Sequence, residues 1–112
     1  MTCAPAPIVF FDIAGPDAAA LKQFYGSVFG WVINDALAID GASTGGVGGT
    51  LRADPPEKII YLGVPDINAA LATITQAGGN VEMPRMVIPG VATFALFSDP
   101  AGNRMGLVET KA

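Results

Sequence analysis

The chain has 112 residues, 51% of them hydrophobic and 14% charged, which suits one domain with a single core and is far from the composition of a disordered chain. Ten acidic and six basic residues give a net charge of −4 with no cluster of Lys or Arg, so no nucleic-acid partner is expected. Gly, Pro or Asp interrupts every apolar run well short of the roughly 20 residues a membrane span needs, and no basic stretch opens the chain, so a cytoplasmic protein without membrane contact is expected.

In chain order, residues 8–13 (Ile-Val-Phe-Phe-Asp-Ile) are apolar and β-branched or aromatic, with Asp12 the only charge, and predict a buried strand. Asp17 follows a Gly-Pro turn where an N-cap belongs. Leu21, Phe24, Tyr25, Val28 and Phe29 then fall on one face of a helix that Gly30 ends. Short strands are predicted at 31–34, 36–40 and 47–51, with Asp40-Gly41 as a hairpin turn. The glycine-rich run 45–49 lacks the Lys-Ser/Thr of a phosphate loop and opens onto no helix, so it predicts a flexible hairpin or rim. Residues 52–57, with Pro55-Pro56, form a link.

The second half repeats this order. A strand at 58–64 leads through Pro65 to Asp66 as helix cap, and Ile67, Ala70, Leu71 and Ile74 share one face up to Gly78-Gly79. Strands at 80–83, 86–88, 91–98 and 104–109 follow, separated by turns at Pro89-Gly90 and at 99–103. Asp17 and Asp66 stand 49 positions apart, as do Gly30 and Gly79, so two signals of different kinds give one internal period.

There is no histidine, and Cys3 is the only cysteine. An internal disulfide, a Ser-His-Asp triad and a Cys-His pair are therefore all excluded.

A duplicated βαβββ unit resembles the glyoxalase, bleomycin-resistance and extradiol-dioxygenase superfamily, the vicinal oxygen chelate fold. The resemblance is carried by Phe24-Tyr25-Gly26-Ser27-Val28-Phe29-Gly30-Trp31, similar to the family's F-Y-x-x-V-F-G-W segment, and by Asp99-Pro100-Ala101-Gly102-Asn103, similar to its D-P-x-G-N turn. Val64-Pro65-Asp66 and Ile88-Pro89-Gly90-Val91 add to it. The resemblance implies an α+β fold in which two βαβββ modules, residues 7–54 and 55–112 of one domain, form a cup-shaped curved mixed sheet with helices on the outside. Metal-dependent members hold a divalent ion with four His or Glu ligands. By the resemblance those positions fall at Phe10, Ile59, Gly106 and a site near Gly48 or Gly49. None of these side chains offers a lone pair, so no metal and no cofactor are expected.

Strand alternation directs Ile8, Phe10, Asp12, Ile59, Tyr61, Gly63, Arg104, Gly106 and Val108 into the cup and Glu109 to the other face. The ligand-binding candidates are Phe10, Asp12, Tyr61, Arg104 and Trp31. Phe10 could wall a ligand or fill the core, and Tyr61 could donate a hydrogen bond or pack. Trp31 could stack on a ligand or staple helix to sheet. Asp12 either pairs with Arg104, stands exposed at the rim, or touches a ligand or moves its proton. Met83 and Met86 close an edge as adaptable apolar contacts.

Three functions remain open: a metal-free binder of a small organic molecule, for which an acidic chain favours a basic ligand; an isomerase, epimerase or lyase working without the usual metal or with a carboxylate-bound one; and a dimeric interaction domain with a vestigial cup. A homodimer is expected in each case.

Overall fold

The computed structural model describes residues 5–110, so Cys3 lies outside the described residues. The elements run β1 (Ile8–Gly15), α1 (Ala18–Phe29), β2 (Ala38–Ile39), β3 (Gly49–Ala53), β4 (Glu57–Val64), α2 (Ile67–Gln76), β5 (Asn80–Ile88), β6 (Ala92–Ser98) and β7 (Arg104–Glu109). The fold is α+β, with parallel and antiparallel strands mixed. The chain divides into two compact units, Phe10–Ile60 and a second formed by Tyr61 onward together with the residues up to Val9.

In the unit Phe10–Ile60, β3 lies between β1 and β2, parallel to β1 and antiparallel to β2. The strand expected at 31–34 is reduced to one bridge between Ile33 and Ile39, and the one expected at 36–40 shrinks to Ala38–Ile39. The intervening chain instead hydrogen-bonds as a turn, with Asn34 accepting from the Leu37 and Ala38 amides. The cap signals are as expected: the Asp17 carboxylate accepts from the Ala20 amide at 3.0 Å, and Gly30 closes α1 at φ 70°. The burial of α1 differs from the expectation. Leu21 and Tyr25 are half-buried, but Phe24 and Phe29 are 51% and 59% exposed. Tyr25 stacks on Trp31 with ring centroids 5.1 Å apart, and Trp31 also meets Phe11, so this pair takes the inner side of the helix and leaves Phe24 outside.

In the other unit, β4 pairs parallel with β7, and β7, β6 and β5 run on antiparallel. The Gly63 amide donates to the Pro7 carbonyl, tying the incoming chain to β4. The two strands expected at 80–83 and 86–88 are one strand, β5, with irregularities between Val81 and Met86. Pro84 has no amide proton to give a ladder, and the bulges absorb it without ending the strand. Helix α2 is capped by Asp66, whose carboxylate accepts from the Ala69 amide at 3.0 Å. Ile67 and Leu71 pack on Ala95, Phe97 and Leu107, with Leu62, Val64 and Met105 around them. Full burial of a side chain such as Ile67 stabilises the fold by about 2–3 kcal/mol. The Asp99-Pro-Ala-Gly-Asn turn is closed by its first residue: the Asp99 carboxylate accepts from the Ala101 and Asn103 amides and from the Asn103 side chain. Those hydrogen bonds, led by the Asn103 side chain, hold its carboxyl below the ordinary value.

Candidate functional site

In the unit Phe10–Ile60, Asp12 is only 5% exposed. Its partner is Arg52, with Arg52 Nε 2.6 Å from Asp12 Oδ1. Neither the expected pair with Arg104 nor an exposed position at a rim is found. The register explains the choice: β1 and β3 run parallel with Asp12 beside Thr50 and Ala14 beside Arg52, so Arg52 stands diagonally next to Asp12 on the same face. The same guanidinium holds Asp54 and Glu57, each at 2.9 Å. One cation thus joins β1 to the link that leads into β4. Burial pushes the Asp12 carboxyl above its ordinary value, and the Arg52 hydrogen bond and charge reverse only part of that shift. Burial also works against the Arg52 charge, but the hydrogen bonds it donates to Glu57, Asp12 and Asp54 outweigh it and hold the guanidinium firmly protonated.

Arg52 was not among the residues expected from sequence, because it lies in the segment assigned to a link. Asp54 and Glu57, two and five residues on, are the local signal that an arginine there has carboxylates within reach. Phe10 shares the Asp12 face by alternation. Trp31 does not, since it meets the Phe11 ring at 5.6 Å on the opposite face. Gly49 also lies on that opposite face, where a Cβ would fall 2.8 Å from the Phe11 ring. Extending the register places Gly48 beside Phe10.

In the other unit, Tyr61 stands beside Gly106 in the register of β4 and β7. A Cβ on Gly106 would lie 2.2 Å from Tyr61 Cδ2, so the tyrosine ring occupies the space of any side chain at that position. Arg104 lies two residues before Gly106 on the same face and faces Glu82 at 3.8 Å. Glu109 is on the α2 side as expected, accepting from the Ile67 amide at 3.0 Å and from Arg85 Nη2 at 2.7 Å.

The family model described as Glyoxalase/Bleomycin resistance protein/Dioxygenase superfamily matches residues 7–107. The chain belongs to this superfamily. It is 29% identical to the anthracycline biosynthesis protein DnrV of Streptomyces peucetius over 88% of this chain and 45% of that protein. It is 27% identical to CFP32 of Mycobacterium bovis, named a glyoxylase only provisionally, over 86% of this chain and 42% of that protein. The chain therefore spans less than half the length of these relatives. Among solved structures, a methylmalonyl-CoA epimerase in complex with methylmalonyl-CoA and NH4+ has a TM-score of 0.64 at 21% identity, covering 97% of both chains. A variant of the Streptomyces coelicolor methylmalonyl-CoA epimerase in complex with 2-nitronate-propionyl-CoA has a TM-score of 0.62 at 20% identity, covering 94% of this chain and 97% of that one. At these identities the likeness concerns the fold.

The superfamily implies a divalent ion in its metal-dependent members, and the donor set here does not fit one. Phe10 and Ile59 are hydrocarbon, Ile59 is 2% exposed, and Tyr61 fills the space beside Gly106. Among the described residues no group of three or more His, Cys, Asp or Glu is arranged to hold a metal. The carboxylates of Asp12, Asp54 and Glu57 are each held by Arg52. Among the described residues no helix is long and apolar enough to cross a membrane.

Proposed function

We propose that this protein binds a small organic molecule without a divalent metal, each unit's sheet face offering its own candidate contacts: Phe10 and Asp12 in one, Tyr61 and Arg104 in the other. The observation that carries this reading is the Tyr61 ring lying on Gly106. It puts an aromatic surface where the superfamily resemblance marks a carboxylate ligand, and an aromatic wall with a few polar groups is the usual make-up of a small-molecule site. The duplicated order supports two modules, 7–54 and 55–112, in one domain. The single cysteine fits a cytoplasmic setting. The exposed Phe24, Val28, Phe29 and Val32 fit a homodimer, which sedimentation equilibrium would test.

A thermal-shift screen of aromatic antibiotics, sugars and 2-oxo acids tests the binding reading. A ligand should raise the unfolding midpoint of the wild type and raise it less in Tyr61→Ala or Phe10→Ala. No stabilising compound, or stabilisation untouched by both substitutions, counts against it.

A second reading is favoured by Asp12, a buried carboxylate whose proton is held more tightly than usual. Such a group suits a general base in an isomerase, epimerase or lyase. Wash-in of deuterium from solvent into a bound substrate, lost in Asp12→Asn, would distinguish turnover from binding.

A further inference from the structure

The two helices stand at equivalent places in the duplicated order, yet they meet solvent differently. With the 49-residue period, Leu21 and Tyr25 of α1 correspond to Ala70 and Ile74 of α2, and all four are half-buried. Phe24, Val28 and Phe29 correspond to Thr73, Ala77 and Gly78. The outward positions of α2 are thus polar or small, as a solvent face requires. On α1 the same positions are apolar: Phe24, Val28 and Phe29 are 51%, 56% and 59% exposed, and Val32 just beyond the helix is 60% exposed. Helix α2 buries Ile67 and Leu71, whereas the buried residue of α1 is Ala18. A helix of 12 residues draws most of its stability from packing, and α1 leaves much of its apolar surface to be covered from outside its own unit.

The exposed rings are held in place. Phe24 meets Tyr25 edge-on at 5.1 Å and Phe29 at 6.3 Å, and Phe29 meets Trp31 at 6.2 Å. Little side-chain freedom is therefore left to lose when a partner covers them. At these exposures the four side chains present about 400 Å² of apolar surface. That is close to the apolar share of the roughly 800 Å² each partner buries in a standard interface.

The charges select the occupant. The chain carries ten acidic residues, yet no charged residue falls between Gln23 and Asn34. The flanking Lys22 and Asp35 hold each other at 3.1 Å. An anionic membrane or a nucleic acid would need a cluster of cations here, and a charged protein partner would meet no complementary group. A two-fold interface sets the residues near its axis against their own copies, so like charges there repel. A neutral apolar patch on an acidic chain meets that condition.

We infer that two copies of the chain meet on this face, α1 against α1 of the second copy, about a two-fold axis close to Val28 at the middle of the patch. The inference rests on the homodimer named above and assigns its interface.

Sedimentation equilibrium of the full chain from about 1 to 300 µM tests it, with the emission of Trp31, the one tryptophan, as a second readout. Wild type is expected to dimerise, its emission shifting to the blue as concentration rises. Val28→Lys and Val28→Asp should each associate at least about a hundredfold more weakly, because each sets like charges together at the centre of the interface. An equimolar mixture of the two variants should recover association, and added salt should weaken that recovery. Phe24→Gln should associate at least about tenfold more weakly, and Thr73→Lys, at the equivalent place on α2, should dimerise as wild type does. All four substitutions are at exposed positions, and circular dichroism melts check that each variant folds. A wild type that stays monomeric throughout the range overturns both the interface and the homodimer. A dimer indifferent to the Val28 variants and to Phe24→Gln overturns the α1 interface and leaves the homodimer standing. Association lost in both Val28 variants and not restored by mixing overturns the two-fold arrangement, as does a Thr73→Lys as disruptive as Val28→Lys.

Discussion

At the scale of single residues, two pairs decide what the sheet faces contain. Asp12 is buried with Arg52, and removing the cation alone strands a carboxylate in the interior. Arg52→Met should cost about 2–4 kcal/mol at neutral pH, somewhat less than a fully buried broken pair because the guanidinium is partly exposed. The pH dependence has a defined sign. The Asp12 carboxyl is held above its ordinary value of 3.8, so its contribution to stability is complete below that pH and is lost as pH rises through the raised value. The cost of Arg52→Met should therefore shrink in acid, where Asp12 takes up a proton, and Asp12→Asn should weaken that dependence. Denaturant unfolding from about pH 3 to 7 measures both; a cost that does not change with pH would mean that Arg52 stabilises the fold through packing and not through its carboxylate partners. The second pair is Tyr61 with Gly106. A Cβ at 2.2 Å from the ring cannot be accommodated without moving a packed aromatic, so Gly106→Ala should destabilise by about 1–3 kcal/mol. Tyr61→Ala combined with Gly106→Ala should recover most of that cost. A double-mutant cycle with no coupling energy would sink this account. Neither pair was legible as a pair from sequence. Alternation assigns Phe10, Asp12, Tyr61 and Arg104 to faces, but which residues stand side by side depends on strand register, and register is a long-range quantity.

At the scale of elements, the signals that proved sufficient were those closed within a few residues. Asp17 and Asp66 cap α1 and α2 with the same 3.0 Å hydrogen bond to the amide three residues on. The Asp99 turn is complete within five residues. Local closure needs no knowledge of the rest of the fold, and all three were visible in the chain. Each cap is expected to contribute about 1 kcal/mol, so Asp17→Ala and Asp66→Ala should each lower stability by that amount, and additively, since the two share no partner. Circular dichroism melts of the two single variants and the double variant check this. Elements that depend on a distant partner were placed less well. The segment 31–34 has strand-forming side chains, yet only Ile33 finds a bridging neighbour, because Asn34 and Leu37 turn the chain back before a ladder can extend. Helix α1 has the expected apolar spacing, but Trp31, just beyond Gly30, takes the inner place by stacking on Tyr25. Periodicity identifies an apolar stripe and does not say how much of it a neighbouring surface covers.

At the scale of the whole molecule, the superfamily's architecture is present, while the positions that the resemblance gives for metal ligands carry no donor side chain. Residues 7–107 match the family model, and the repeat of strand, capped helix and strands persists. The residues at the ligand positions given by the resemblance are Phe10, Ile59 and Gly106, with Gly48 beside Phe10 in the β1 and β3 register. Divalent transition metals need several convergent N, O or S donors, and tight binding to the folded state alone would stabilise it by RT ln(1 + [L]/Kd), about 2.7 kcal/mol at a hundredfold excess over Kd. A chain with hydrocarbon at these positions should show no such gain. Protein purified without a metal-affinity tag is expected to carry zinc, nickel, manganese and iron well below one atom per chain by elemental analysis. Adding each metal in excess should leave the unfolding midpoint where it was. A metal at one per chain whose removal lowers the midpoint would overturn the metal-free proposal and redirect attention to the carboxylates around Arg52. Because Arg52 holds Asp12, Asp54 and Glu57 at 2.6 to 2.9 Å, such a metal would have to displace the guanidinium. Arg52→Met should then strengthen metal binding, which separates a carboxylate-bound ion from adventitious metal elsewhere on the protein.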